Sequence, residues 1–349
     1  MNRIRGWNTS RLLLVAMVAV LAAAFVASPL VAADKSMPSD KVLQALVQDA
    51  HAKFKDVKEG ASADYIPELA KVPPDLFGVA IVTAEGKIYT AGDVDYAFTI
   101  QSVSKPFTAG LVMQQYASAD IILDKIGVEP TGQKFNSLMA TQTIPQVSVN
   151  PLVNSGAIAA VSLVKAKSAE DRFAQIMGFF EKLAGEKLTV IEDVYKSEAA
   201  TNQRNRAHGY ILFVSDRIYS DPMEAVDVYT RQCSIGVTAK QLAVMGATLA
   251  NGGVNPITKT PVIDKKYVPK MLAIMMTAGF YNESGLWAYT AGLPAKTGVG
   301  GGIVAVVPGK MAIVGFSPRV NDAGNSVRSM KAIEYISDQL GTNLFGSGK

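Results

Sequence analysis

The chain has 349 residues, 49% of them hydrophobic and 18% charged, which is enough to bury a large core. Its formal charge is +4, but residues 1–33 hold Arg3, Arg5 and Arg11 and no acid, and removing those three cations leaves +1. So neutral a body lacks the basic face that phosphate binding requires, which argues against nucleic acid as a partner, and a single cysteine excludes an internal disulfide or a multi-cysteine metal site.

Arg3, Arg5 and Arg11 precede an apolar run from Leu12 to Ala27, then Pro29 and the small residues Val31, Ala32 and Ala33. That order predicts a secretory signal peptide over 1–33, cleaved near Ala33, with a single domain over 34–349 working in the periplasm. An uncleaved anchor helix is the alternative, against which the run is short for a bilayer span; after cleavage no stable membrane association is expected. No cysteine stands at the cleavage point to accept a lipid.

Ser39 and Asp40 precede Leu43, Leu46, Val47, Ala50 and Phe54, a three-and-four spacing that predicts a capped amphipathic helix, with His51 at the edge of its stripe as a half-packed histidine. Residues 77–83 and 87–90 read as two strands turning at Glu85 and Gly86. Residues 302–307 and 311–316 read as a second pair turning at Pro308 and Gly309, followed by a helix carrying Val327, Met330, Ile333, Ile336 and Leu340. Strands at both ends thus enclose a middle, roughly 105–295, that reads as mostly helical: an α+β domain with two lobes.

With only His51 and His208 present, a Ser-His-Asp hydrolase has little to draw on. His208 stands in a polar stretch beside Arg204, Asn205 and Arg206, where a structural role is at least as well supported. A serine and a lysine one helical turn apart offer the alternative, because a neutral amine can take the hydroxyl proton during acyl transfer. The chain contains this pattern twice, as Ser102-Val-Ser-Lys105 and as Ser162-Leu-Val-Lys165. Ser162 lies in an apolar stretch as an ordinary helix residue would. Ser102 follows the strand-like 96–100 and precedes Pro106, a residue suited to a first helical turn, which places its hydroxyl at a helix start. Further on, Lys296-Thr-Gly-Val-Gly-Gly-Gly302 reads as a glycine loop ahead of the strand beginning at Ile303, where backbone N–H groups can meet a ligand.

Ser-x-x-Lys followed much later by Lys-Thr-Gly resembles class A β-lactamases and penicillin-binding proteins, although the intervening Ser-Asp-Asn is absent. In its place stand Asn150-Pro-Leu-Val-Asn154-Ser-Gly-Ala-Ile158, Ser197-Glu198-Ala-Ala-Thr-Asn202-Gln-Arg-Asn205-Arg206-Ala207, Tyr229-Thr-Arg-Gln-Cys-Ser234 and Leu249-Ala-Asn-Gly-Gly253. With these motifs the chain, from about Val42 to Leu340, resembles the bacterial serine-dependent glutaminases. The resemblance implies a β-lactamase/transpeptidase-like fold, with an antiparallel sheet flanked by helices and a mostly helical lobe. It implies hydrolysis of the L-glutamine side-chain amide to glutamate and ammonia without metal or cofactor, in a homo-oligomer.

The family's nucleophile falls on Ser102 and its lysine on Lys105. Its substrate-binding positions fall on Asn154, Glu198, Asn205, Tyr229, Tyr281 and the backbone of Val299. The chain departs from the more usual pattern at Leu152, Val153 and Ser155, and at Thr297, where serine is common. In this reading Glu198 holds the substrate ammonium, while Asn154, Asn205 and Tyr281 hold the carboxylate or orient the amide. The Ser102 and Val299 N–H groups receive the oxyanion, and Tyr229 relays a proton to the departing ammonia. Burial, and repulsion from Lys296, are expected to keep Lys105 neutral. An exported β-lactamase or penicillin-recognising peptidase is the alternative enzyme. A non-catalytic periplasmic amino-acid sensor is the alternative without chemistry.

Overall fold

Ser39 caps the first helix as its position predicts, its hydroxyl accepting the Val42 N–H at 3.4 Å, and the helix buries Leu43, Leu46, Val47 and Ala50. The computed structural model describes residues 37–143 and 150–346, so the proposed signal peptide lies outside the described residues. Pro38–Ser347 forms one compact unit. In chain order the strands are β1 (Gly78–Thr83), β2 (Ile88–Gly92), β3 (Phe98–Thr99), β4 (Thr189–Val190), β5 (Ile235–Val237), β6 (Ala295–Thr297), β7 (Gly302–Val307) and β8 (Met311–Phe316). The longer helices are α1 (Asp40–Phe54), α2 (Lys105–Tyr116), α3 (Asn154–Leu163), α4 (Ala169–Ala184), α5 (Glu192–Thr201), α6 (Gln203–Val214), α7 (Pro222–Cys233), α8 (Ala239–Ala250), α9 (Val268–Ala278) and α10 (Val327–Leu340).

The larger sheet is antiparallel throughout, in the order β2-β1-β8-β7-β6. β1, β7 and β8 are buried along their whole length, because helices cover both faces and leave no side of these apolar runs to water. α8 lies on one face so closely that a Cβ at Gly246 would meet Val304 Cγ2 at 2.5 Å. α10 lies on the other, where a Cβ at Gly315 would meet Ser329 Cβ at 2.6 Å. Both terminal helices, α1 and α10, pack against each other and this face. The glycine loop anticipated before Ile303 turns out to begin with a strand of its own, since Ala295–Thr297 pairs along β7 at the sheet edge.

The helical lobe is built around α3, all ten of whose residues are buried, with α2 and α7 against it. A second sheet, β3-β5-β4, is too short to be legible in the sequence: its strands span two or three residues each. It holds the segment leading to Ser102, since the Ile100 N–H continues the ladder to the Ile235 carbonyl at 2.8 Å.

Candidate active site

Ser102 sits in a single 3-10 turn, Gln101–Ser104, that runs directly into α2, with Pro106 in the helix's first turn. The turn is entered through Gln101 at φ 45°, a left-handed conformation costly for a residue with a Cβ and sustained here by the surrounding structure. β6 and the glycines after it pack against this turn. A Cβ at Gly298 would lie 3.1 Å from the Ile100 carbonyl oxygen, and one at Gly300 2.4 Å from the Thr99 carbonyl oxygen, so the Lys-Thr-Gly segment reaches the Ser102 turn only because those positions lack side chains.

Lys105, one turn on from Ser102, is 1% exposed. Its Nζ donates to Asn154 Oδ1 at 2.7 Å and to the Leu152 carbonyl at 3.3 Å. Neither partner is charged, so burial dominates and the amine is held down to about 7, with small opposing effects of Cys233 and Glu198. The Asn-Pro-Leu-Val-Asn-Ser-Gly motif places those acceptors. Asn150 Oδ1 takes the Leu152 N–H at 3.0 Å, folding the loop over the start of α3, and Gly156 lets the Asn150 carbonyl approach to where a Cβ would lie 1.9 Å away. Asn154 then joins three side chains, with its Oδ1 receiving Lys105 and the Tyr229 hydroxyl (3.3 Å) and its Nδ2 donating to Asn205 Oδ1 at 2.8 Å. Burial pushes the Tyr229 hydroxyl well above its usual range, so the phenol stays protonated.

Glu198, on α5, is buried without a cationic partner in contact. Burial raises it to about 7 against the weaker stabilising effects of a 3.1 Å hydrogen bond from Gln101 Nε2 and of Lys105. Ser102, Asn154, Glu198, Asn205 and Tyr229 all line one cavity of about 640 Å³, closed by Tyr65, Phe135 and the residues joining α5 to α6. Such a volume suits a small polar molecule.

Tyr281 belongs to the nucleophile side. Its hydroxyl hydrogen-bonds with Ser102 and donates to the Thr297 carbonyl at 3.3 Å, and its backbone, like that of Gln101, is left-handed at φ 58°. It stands beside Ser102 and is not among the residues lining the cavity that holds Glu198, Asn154 and Asn205. Lys296 Nζ stands 4.1 Å from the Tyr281 ring centroid and donates to the carbonyls of Thr297 (2.6 Å) and Gly279 (3.1 Å). The expected repulsion between the two lysines acts on Lys296, which burial and then the charge of Lys105 hold well below the ordinary range; the depression of Lys105 is a burial effect. Val299 is buried, and lines a neighbouring cavity of about 720 Å³ that shares Tyr65, Phe135 and Asn136 with the first.

Ser102, a buried acid and two buried asparagines thus line one cavity, with a buried lysine one turn behind the serine, and the chain's relatives are of one kind. The glutaminase family profile matches residues 60–345. The chain belongs to the glutaminase family. It is 51% identical over 308 residues to the glutaminase of Colwellia psychrerythraea, covering 88% of this chain and 99% of that one. The solved structure of the probable glutaminase ybaS superposes with a TM-score of 0.87 at 46% identity, covering 89% of this chain and all of that one. Mglu in its glutamate form superposes with a TM-score of 0.83 at 32% identity, covering 90% of this chain and 72% of that one. The enzyme is thus a glutaminase with the β-lactamase-like α+β fold.

The remaining candidates of this glutaminase resolve by location. Ser162 is buried inside α3, donating to the Ala159 carbonyl at 2.7 Å and accepting the Tyr219 N–H at 3.1 Å, while Lys165 reaches out to the Gln115 carbonyl. His51 stacks on Phe77 at 5.1 Å, and His208 is buried against Thr141 at 3.1 Å, its ring held neutral, down to about 4, by burial. Cys233 is buried in the core behind Tyr229. Among the described residues no group of three or more His, Cys, Asp or Glu could hold a metal ion, and no helix is long and apolar enough to cross a membrane. Sequence reasoning missed Gln101, whose only signal was its place next to Ser102, and the wall residues Tyr65 and Phe135, which had none.

Proposed function

We propose that the enzyme hydrolyses L-glutamine through a glutamyl ester on Ser102. The observation that carries this reading is Lys105, buried among neutral acceptors one turn from Ser102, which itself lines a cavity that also holds Glu198. Neutral Lys105 takes the Ser102 proton as Oγ attacks the amide carbon, and the N–H groups of Ser102 and Val299 receive the oxyanion. Tyr281, hydrogen-bonded with Ser102, orients the hydroxyl. Tyr229, held protonated by burial, passes its proton to the departing nitrogen and recovers the one Lys105 took from Ser102, both groups being held at Asn154 Oδ1, which leaves ammonia, neutral Lys105 and the ester. Water, deprotonated by Lys105, then releases glutamate.

Glu198 in its ionised form pairs with the substrate ammonium, and Asn154 and Asn205 face the carboxylate. That Mglu has a glutamate form supports a site shaped for this product. Export with cleavage near Ala33, and assembly as a homo-oligomer, complete the proposal. A glutamine analogue carrying an electrophilic diazoketone should add its mass to the Ser102 peptide alone, and Ser102→Ala should abolish both labelling and ammonia release. Label on another residue, or substantial turnover by Ser102→Ala, would refute the acyl-enzyme.

A further inference from the structure

We infer that Arg204 is a specificity residue, holding the substrate's free α-carboxylate at the start of α6; this rests on the reading that Glu198 takes the ammonium. Of the residues lining the 640 Å³ cavity, two are an acid and a base of opposite charge when ionised, Glu198 and Arg204. A free amino acid is a zwitterion, so an acid that takes its ammonium leaves an anion to be matched within a few ångströms.

Three features converge where that anion falls. Residues 201–205 line the cavity as α6 begins. The N–H groups of Gln203, Arg204 and Asn205 precede the first helical bond, from the Arg206 N–H to the Asn202 carbonyl at 3.0 Å, and no side chain caps them. They therefore present the positive end of a twelve-residue helix. Asn205, 8% exposed, spends its Oδ1 on Asn154, while its Nδ2 has no hydrogen-bond partner among the described residues. Among the described residues Arg204 itself makes one hydrogen bond, from Nη1 to the Asn136 carbonyl at 3.4 Å, and no salt bridge with an acid. Its other guanidinium N–H groups remain for a ligand, and their fork geometry matches a carboxylate. The guanidinium is exposed at the cavity wall, so its contribution is moderate and weakened by salt.

The test compares kcat/KM on L-glutamine with kcat/KM on its α-amide, in which a neutral carboxamide replaces the carboxylate, for the wild type, Arg204→Met and Arg204→Lys. The ratio within one variant cancels any loss of folded enzyme. The wild type should prefer the carboxylate, and Arg204→Met should cut that preference about tenfold through KM, with the α-amide unaffected. Arg204→Lys should recover part of the preference, most of it at low salt. Equal losses on both substrates, which a mere brace for the wall at Asn136 would give, overturn the proposal, as does an unchanged ratio. Glu198→Gln separates the two levels. If it leaves KM unaltered for both substrates, the head-group reading falls; if it raises both while Arg204→Met leaves the ratio intact, Arg204 alone is wrong.

Discussion

Replacing Lys105 by Met tests whether the amine is neutral in the folded enzyme without relying on catalysis. Methionine is unbranched, of similar length and carries no charge. In the unfolded chain the amine titrates near 10.5, and in the folded enzyme burial brings it to about 7. Below pH 7 both states hold the proton, so the group adds no pH dependence. Between 7 and 10.5 the unfolded chain binds one more proton than the folded one, so raising the pH favours folding by up to about 1.4 kcal/mol per pH unit. From pH 7 to pH 9 the integrated gain is about 2 kcal/mol for the wild type, and the Met variant lacks it.

Between pH 7 and pH 9 the other titrating groups cancel in the comparison except Glu198, which without the charge of Lys105 rises further and so enlarges the difference, and Lys296. Relieved of its neighbour's charge, Lys296 titrates nearer its ordinary range in the variant, which enlarges the difference. The variant also leaves Asn154 Oδ1 and the Leu152 carbonyl without a donor, a cost of about 1–3 kcal/mol that is independent of pH. Urea unfolding of both proteins at pH 7 and pH 9 reads the quantity directly. A pH gain that is the same in both proteins would show that Lys105 keeps its charge when folded, and the proposed base would be lost.

Wild-type kcat/KM should rise with pH through about 7, because Lys105 loses its proton and Glu198 gains its charge in the same interval; a profile flat from 5 to 9 would contradict both assignments. Glu198→Gln should raise KM by a factor equivalent to about 2–4 kcal/mol while leaving acylation largely intact. A collapse of kcat at constant KM would make Glu198 an acid or base instead. Ser162→Ala should keep full turnover per folded molecule but lose about 1–3 kcal/mol of stability, because the Tyr219 N–H loses its acceptor; loss of turnover without loss of stability would reopen the choice of nucleophile. Gly156→Ala drives a Cβ into the Asn150 carbonyl and should cost about 1–3 kcal/mol together with activity, since the displaced loop carries both acceptors of Lys105; unfolding and ammonia release measured side by side decide it. N-terminal sequencing of periplasmic protein should begin near Asp34, and recovery of only membrane-bound protein starting at Met1 would refute the export proposal.

Patterns of local origin were legible in the chain itself. The spacing of Leu43, Leu46, Val47 and Ala50 is a property of one helix, and the uninterrupted apolar runs at 78–83, 302–307 and 311–316 carry their strand character within themselves. Pro106 behind Ser102 distinguished the helix start from the identical pattern at Ser162, because a proline in the first turn is a local constraint. Motif resemblance then placed eight site residues, but gave them no geometry. What required tertiary structure was everything that depends on partners far apart in sequence. Strands β3, β4 and β5 are two or three residues long and exist only because they pair with one another. Gln101 became part of the site only when folding brought Glu198, 97 residues away, within hydrogen-bond distance. Tyr281 could be read from the sequence either at the substrate's carboxylate or at its amide, and only the fold sets its hydroxyl beside Ser102. Lys105 is the plainest case: its amine is ordinary in the unfolded chain, and only a core that surrounds it with carbonyl and amide oxygens and no carboxylate in contact lowers it to about 7.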